Sequence, residues 1–114
     1  MYDLTYRPRR LRTSPEMRDL VRETTLDTTD LIYPLFIVPD EGIKKEIDTL
    51  PGQYHLSVDE AVKVAQEAYD LGIRGVEIFG IPTYKDEQGS SAWDMEQPVQ
   101  QAIKAIREAV PNLL

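Results

Sequence analysis

Apolar residues along this chain form two kinds of pattern in alternation: short continuous runs, and positions at helical spacing. An apolar run at residues 31–38 precedes a loop and then a helical pattern at residues 57–71. A second run at residues 75–81 precedes another loop and a helical pattern at residues 98–110. Strands that alternate with amphipathic helices are typical of a parallel sheet covered by helices. Two such units are too few to complete that sheet, so we expect an α/β chain that forms the first part of a larger protein.

Each predicted helix has a defined start, an end and one apolar face. Ser57 and Glu60 have the spacing of a capping box, and Gly72 suits the left-handed position that ends a helix. The apolar positions recur at helical spacing and predict the buried faces. In the first helix these positions are Val58, Ala61, Val62, Ala65, Ala68 and Tyr69, and in the second they are Val99, Ala102, Ile103, Ile106 and Val110.

The segment before the first strand has a different character. Residues 1–12 are expected to be extended, and Ser14 followed by Pro15 predicts a short helix that runs to about Glu23. We therefore divide the chain into an N-terminal arm with a short helix, residues 1–26, and a partial α/β domain, residues 27–114. Pro34 lies inside the first apolar run. Because proline has no N–H to donate, this strand is expected to be an edge strand or irregular there.

Two polar loops follow the two predicted strands. Residues 39–54 and residues 83–93 come after the strand ends, and glycine, proline and charged residues interrupt both. In parallel α/β proteins, binding and catalytic sites are built at the carboxyl ends of the strands. The two loops are therefore expected to lie on the face that carries any site.

Composition limits the classes of partner. The chain of 114 residues has a net charge of −7 and no cysteine. Arg7, Arg9, Arg10 and Arg12, with Asp3, give residues 1–12 a charge of +3, so the other 102 residues carry −10. An acidic body argues against nucleic acid as a partner, and no apolar run approaches the ~20 residues of a membrane span. Without cysteine there is neither a disulfide nor a thiolate metal site in this segment, which fits a cytoplasmic protein.

Few residues have the spacing of a catalytic or metal site. His55 is the only histidine, and the acidic pairs at 40–41 and 86–87 are more typical of solvated loops than of magnesium sites. Lys44 and Lys45 lie in the first polar loop, and no lysine has a setting that would lower its pKa enough for imine formation. Phe79 stands at the carboxyl end of the second strand. It is interpreted either as an apolar wall of a substrate pocket or as a plain core residue.

Six segments, in order along the chain, resemble the porphobilinogen synthases, also called delta-aminolevulinic acid dehydratases. The segments are residues 7–12, 30–36, 47–52, 78–82, 85–90 and 102–107. The resemblance implies a TIM (β/α)8 barrel, of which this chain holds the N-terminal arm and the first two strand–helix units, an incomplete barrel. It also implies a cytoplasmic lyase of haem and porphyrin biosynthesis. Such an enzyme condenses two molecules of 5-aminolevulinate into porphobilinogen with loss of water.

The same resemblance assigns roles to a few residues. Phe79 matches a phenylalanine of the substrate pocket, and the arm with Arg7, Arg9, Arg10 and Arg12 matches an arm that contacts a neighbouring subunit, usually in a homo-octamer. The two lysines that form Schiff bases with substrate have no counterpart here, so no catalytic residue is assigned. Family members use zinc or magnesium, and this chain shows no identifiable metal ligand. We therefore expect the 114-residue chain alone to be inactive, and either aggregation-prone or dependent on a partner.

A second hypothesis comes from another class of protein. A non-catalytic α/β interaction or assembly module could use the arginine-rich arm to join a partner. The sequence that follows residue 114 in the gene would distinguish the two, because only the enzyme requires further strands that carry lysines.

Overall fold

The computed structural model describes residues 8–114, and its centre is a four-stranded sheet. The strands are β1 (Ile32–Ile37), β2 (Lys44–Ile47), β3 (Leu50–Leu56) and β4 (Gly75–Gly80), in the spatial order β2-β3-β1-β4. The helices are α1 (Pro15–Leu20), α2 (Val58–Asp70) and α3 (Pro98–Ala109). Strand β1 is parallel to both of its neighbours, and β2 and β3 form an antiparallel hairpin.

The two predicted strand–helix units are confirmed, and an extra hairpin is inserted in the first. Residues 39–54 were expected to form a loop, which is wrong: β2 and most of β3 lie within them. At the end of this segment polar Gln53 and His55 alternate with apolar Tyr54 and Leu56. This period-two alternation is the strand signal that the glycines and prolines obscured.

Helices α2 and α3 cover one face of the sheet and leave the other open. The core consists of Leu35 and Ile37 from β1, Leu56 from β3, and apolar residues of the two helices and of the short segment after α3. As predicted, Ala61, Ala65, Ala68, Ala102, Ile106 and Val110 are buried. Ile103 was expected among them, but it is 45% exposed and lies beside the open edge of β4.

The start and end of α2 differ in how well they were predicted. Gly72 has the expected left-handed backbone, with a φ of 98°. The capping box is wrong, because the Ser57 side chain makes no cap hydrogen bond and Glu60 pairs instead with Lys63. Ser57 is fully buried and joins the helix to the hairpin: its Oγ accepts the Ile43 N–H at 2.8 Å. Because the Ser57 hydroxyl is occupied by this long-range contact, it does not form the local cap. Sequence spacing does not reveal such a contact.

Pro34 lies in a strand with neighbours on both sides, yet it costs no hydrogen bond to either. The N–H of Val38 donates to Leu56 on β3 at 2.9 Å, and Ile81 on the β4 side donates to the Ile37 carbonyl at 2.8 Å. Along a strand the backbone N–H groups of successive residues point alternately to its two neighbours. The nitrogen of Pro34, four residues before Val38, therefore points toward β3, like the N–H of Val38. Strand β3 pairs only with the last two residues of β1, so β1 is locally an edge strand at Pro34, as expected.

The far edge of the sheet, along β4, is open apart from one residue. Leu114 donates its N–H to the Arg74 carbonyl at 3.0 Å and accepts the Val76 N–H at 2.8 Å. This pair of bonds is the parallel-ladder pattern and places Leu114 beside Gly75. Beyond that point the edge borders an apolar groove of about 500 Å³ that Ile78 and Ile103 help to line.

The first part of the segment that precedes the sheet contacts mainly itself. A short 3₁₀ helix, Arg10–Arg12, leads to α1, which Ser14 caps by accepting the Met17 N–H at 3.2 Å. Helix α1 ends at Leu20 rather than near Glu23. Arg9, Arg10 and Arg12 are exposed, whereas Arg7 lies outside the described residues.

Candidate functional site

The open face of the sheet carries a row of side chains at the carboxyl ends of the parallel strands. Register pairs Phe36 of β1 with Phe79 of β4 on one side and with His55 of β3 on the other. Lys45 of β2 pairs in turn with His55. Directly paired residues point to the same face of a sheet, so these four side chains share the face that the helices leave open. We call Lys45, His55, Phe36 and Phe79 the open-face row.

The aromatic half of the row is a stacked pair. The rings of Phe36 and Phe79 lie 5.5 Å apart between centroids, with an interplanar angle of 20°. Phe79 is 45% exposed, on the face of the sheet that the helices leave open. Stacked rings at this separation attract each other beyond their burial and hold each other in position. The geometry gives a rigid apolar surface at the end of the sheet where sites are built; a substrate-pocket role for Phe79 stays a prediction.

Sequence reasoning missed three members of the row. Phe36 was included only as part of a buried strand, and His55 and Lys45 were placed in a loop with no partners. They come together because the β2–β3 hairpin lies beside β1, a long-range pairing that no local motif announces. The alternation of residues 53–56 carried a signal for the strand, but nothing in it fixed the partner.

A hydrogen-bonded network fixes the loop at residues 83–97, which follows β4. Gln97, buried at the start of α3, accepts the Thr83 N–H at 3.0 Å and donates to Asp94 at 3.2 Å. Tyr84 also donates to Asp94, at 3.2 Å. Partial burial is the largest cause that raises the pKa of Tyr84, and its hydrogen bond to the Asp94 carboxylate is the next. The hydrogen bond from the Glu96 N–H is the largest cause that lowers the pKa of Asp94, and the bond from the Gln97 amide is the next. The predicted polar loop is therefore tied to helix α3.

The first of the two carboxylate pairs considered as cation ligands lies on the helix side of the sheet, away from the open face. Asp40 and Glu41 line a groove of about 560 Å³ between the end of β1 and helices α2 and α3, together with Asp59 and Glu96. Across residues 8–114, no three histidine, cysteine or carboxylate side chains come together in a group that could hold a metal ion. The described residues therefore do not fit a metal centre, and no chemical step is assigned to one here.

Asp59 serves the structure around that groove. Its carboxylate accepts the Ser57 hydroxyl at 2.6 Å and the Gly42 N–H at 3.2 Å. These two bonds, with the serine bond the larger cause, lower the pKa of Asp59 below its ordinary value. The carboxylate thus joins the first turn of α2 to the segment before β2 and is already occupied by two donors.

No helix in the described part of the chain is long and apolar enough to cross a membrane.

Comparison with known proteins assigns the chain to a family. A family model described as delta-aminolevulinic acid dehydratase matches residues 5–114. A delta-aminolevulinic acid dehydratase of Synechococcus elongatus is 54% identical over 110 residues, which cover 96% of this chain and 34% of the relative. One from Ruminiclostridium josui is 48% identical over 107 residues, or 94% of this chain and 52% of the relative. The chain thus spans about a third of the length of the first of these relatives.

A solved structure agrees with the sequence comparison. The crystal structure of the delta-aminolevulinic acid dehydratase (porphobilinogen synthase) of Toxoplasma gondii, in complex with the reaction product porphobilinogen, matches with a TM-score of 0.83. The sequence identity is 31%, and the match covers 97% of this chain and 32% of that chain. The backbone described above is therefore similar to one third of a larger enzyme, and the prediction of an incomplete α/β barrel is confirmed.

Proposed function

Because the chain belongs to the delta-aminolevulinic acid dehydratase family, we propose that it supplies the arm and the first two strand–helix units of an enzyme that makes porphobilinogen. That enzyme condenses two molecules of 5-aminolevulinate and releases water. The observation that carries the proposal is the family match over residues 5–114, which includes both strand–helix units and both loops at their carboxyl ends. The comparisons give no support to the non-catalytic assembly module.

In this proposal the chain contributes binding surface, and the bond-making groups belong to the rest of the barrel. Phe79 forms an apolar wall of the substrate pocket, held by its stack on Phe36. An apolar wall excludes water, which favours formation of an imine between a lysine and a ketone because that step releases water. The family resemblance assigns the two imine-forming lysines to later strands, so we expect the 114-residue chain alone to be inactive.

The metal, the assembly and the compartment form a second part of the proposal. The resemblance implies zinc or magnesium, bound by residues outside this chain. We propose that the arm with Arg7, Arg9, Arg10 and Arg12 joins a neighbouring subunit of a homo-octamer in the cytoplasm. Exposure of the last three arginines supports this, as does the charge of −10 on the remaining 102 residues, because a cationic arm is attracted to an acidic body.

A hybrid enzyme tests the proposal. Residues 5–114 would replace the matching third of the Synechococcus elongatus relative, and porphobilinogen formation from 5-aminolevulinate would be measured. We expect an active hybrid and no product from the chain alone. A folded hybrid that makes no porphobilinogen would refute the function, and product from the chain alone would refute the assignment of chemistry to the missing strands.

Two substitutions in the hybrid separate a pocket role from a structural one. Phe79→Ala removes the apolar wall, and we expect kcat/KM to fall by about tenfold, since an interaction worth roughly 1.4 kcal/mol is lost from the transition state. Ile32→Ala is the matched control: Ile32 lies on the same open face but at the opposite end of β1, the end where barrels are stabilised rather than active. Its kcat/KM is expected to stay within about twofold. Equal losses from both variants would show that Phe79 acts only through packing.

A further inference from the structure

Strands β1 and β3 separate toward their amino-terminal ends. They pair only where Phe36 lies beside His55 and Ile37 beside Leu56. A cavity of about 150 Å³ opens between the earlier parts of the two strands. Its walls include residues 33–35 of β1, residues 52–54 of β3, and side chains of β2 and α2. We call this cavity the β1–β3 gap.

Pro34 explains why the two strands separate there. The N–H of Val38 donates to the Leu56 carbonyl at 2.9 Å, and N–H groups two and four residues earlier on β1 face the same way. The residue four positions earlier is Pro34, which has no N–H to donate. The next hydrogen bond of the β1–β3 ladder therefore has no donor. Within residues 32–35 of β1, only Ile32 directs an N–H toward the gap.

The edge along β4 keeps its full set of donors. Val76 donates its N–H outward to the Leu114 carbonyl at 2.8 Å, so the N–H groups of Ile78 and Gly80 face the same open side. Residues 75–80 include no proline. The apolar groove of about 500 Å³ runs beside this edge. A strand that joins β4 therefore finds both hydrogen-bond partners and an apolar surface.

We propose that Pro34 denies the β1–β3 gap to strands of other copies of this chain, so that a second copy joins only along β4. Proline on an exposed strand is one of the features by which proteins discourage such pairing. Two β4 edges that pair with each other form a closed dimer. A gap that accepted a strand would instead take the β4 edge of the next copy, and such head-to-tail contacts form open chains. Pro34 thus limits assembly to the dimer.

Sedimentation equilibrium of the 114-residue chain and of Pro34→Val tests this role. Valine restores the N–H and suits a strand. With rising concentration, we expect the mass of the wild-type chain to level off at about twice that of one chain, and the mass of the variant to keep rising beyond the dimer. Pro39→Val is the matched control, because it makes the same exchange just past the last β1–β3 hydrogen bond, and it should level off like the wild type. Circular dichroism checks that each variant is folded, and Pro34→Ala replaces the valine variant if valine disturbs the fold.

A charge beside β4 identifies the edge that is used. Ile103 is 45% exposed next to β4, so Ile103→Glu should block pairing there without disturbing the core. Pro34→Val combined with Ile103→Glu should remain a monomer, because both kinds of contact use the β4 edge. Larger assemblies of this double variant would overturn the proposal. A Pro34→Val chain that stays dimeric and resists urea better would also overturn it, since β3 would then have extended its own ladder into the gap.

Discussion

The contact of Gly80 with Val99 offers a quantitative test of how β4 is held against helix α3. A Cβ built on Gly80 would come closer than 3.0 Å to Cγ2 of Val99, a separation that real Cβ atoms essentially never show. Valine is stiff about χ1, so its methyl group cannot easily turn away. Gly80→Ala must therefore push the strand and the helix apart or force Val99 from its rotamer, and overpacking of this kind typically costs about 1 to 3 kcal/mol.

Urea denaturation followed by circular dichroism measures this cost. With a urea m-value of about 2 kcal/mol/M, a loss of about 2 kcal/mol lowers the midpoint by about 1 M. Gly75→Ala is the matched control, because it makes the same change in the same strand but the new Cβ would have its nearest neighbour at 3.7 Å, an ordinary contact. We expect that control to be neutral or more stable by up to about 1 kcal/mol, since alanine restricts the unfolded chain.

A double mutant decides whether the proposed contact is the cause. Val99→Ala alone should cost about 1 kcal/mol, because it removes methyl groups that are only partly buried. If the clash is real, Gly80→Ala combined with Val99→Ala should be more stable than the sum of the single changes by roughly 1 to 2 kcal/mol. Additive losses, or no loss from Gly80→Ala alone, would refute the reasoning. Because Phe79 directly precedes Gly80, the same strain should also disturb the stacked pair.

Three further outcomes can be checked by the same denaturation assay. Gly72→Ala should destabilise the fold by about 1 kcal/mol or more, since its φ of 98° disfavours a side chain and the new Cβ would meet Thr28 Oγ1 at 2.7 Å; an unchanged midpoint would contradict this. Ser57→Ala should cost about 1 to 3 kcal/mol by leaving the Ile43 N–H without its acceptor, whereas Ser57→Thr keeps the hydroxyl. Wild-type stability in the alanine variant would contradict this prediction. Asp59→Asn should destabilise the chain at neutral pH. Because the pKa of Asp59 is lowered in the folded state, the stability that its carboxylate contributes is present above the ordinary pKa of about 3.9 and is lost as the pH falls through the folded value. The urea midpoints of the wild-type chain and the variant should therefore converge in acid.

Sequence reasoning succeeded where periodicity and local chemistry act together. The strand with Leu35 and Ile37 and the helix with Ala61 and Ala65 were predicted because a buried face repeats at the period of its element. The turn at Gly72 followed from the left-handed conformation that ends helices and that glycine adopts without strain. Each of these features depends on residues within one turn or one strand.

Features that depend on distant pairing were not predictable in the same way. The hairpin that contains His55 is interrupted by glycine and proline, so its composition favoured a loop. The Ser57 side chain bonds to Ile43, fourteen residues away, instead of capping the helix as its local spacing predicted. The candidate site is therefore the least predictable part: Phe79 could be singled out by its place at a strand end and by family resemblance, whereas Lys45 depended on strand order.

The two edges of the sheet differ in how they resist unwanted pairing with other chains. Strand β2 forms one edge; it is four residues long, begins with two lysines and has an irregularity between Glu46 and Ile47. Short, charged and irregular edges discourage another strand from adding. The β4 edge is longer, at six residues, carries a single charge, Glu77, and borders the apolar groove. Self-association of the isolated chain should therefore be one-sided, producing dimers joined through β4 rather than fibres that extend from both edges.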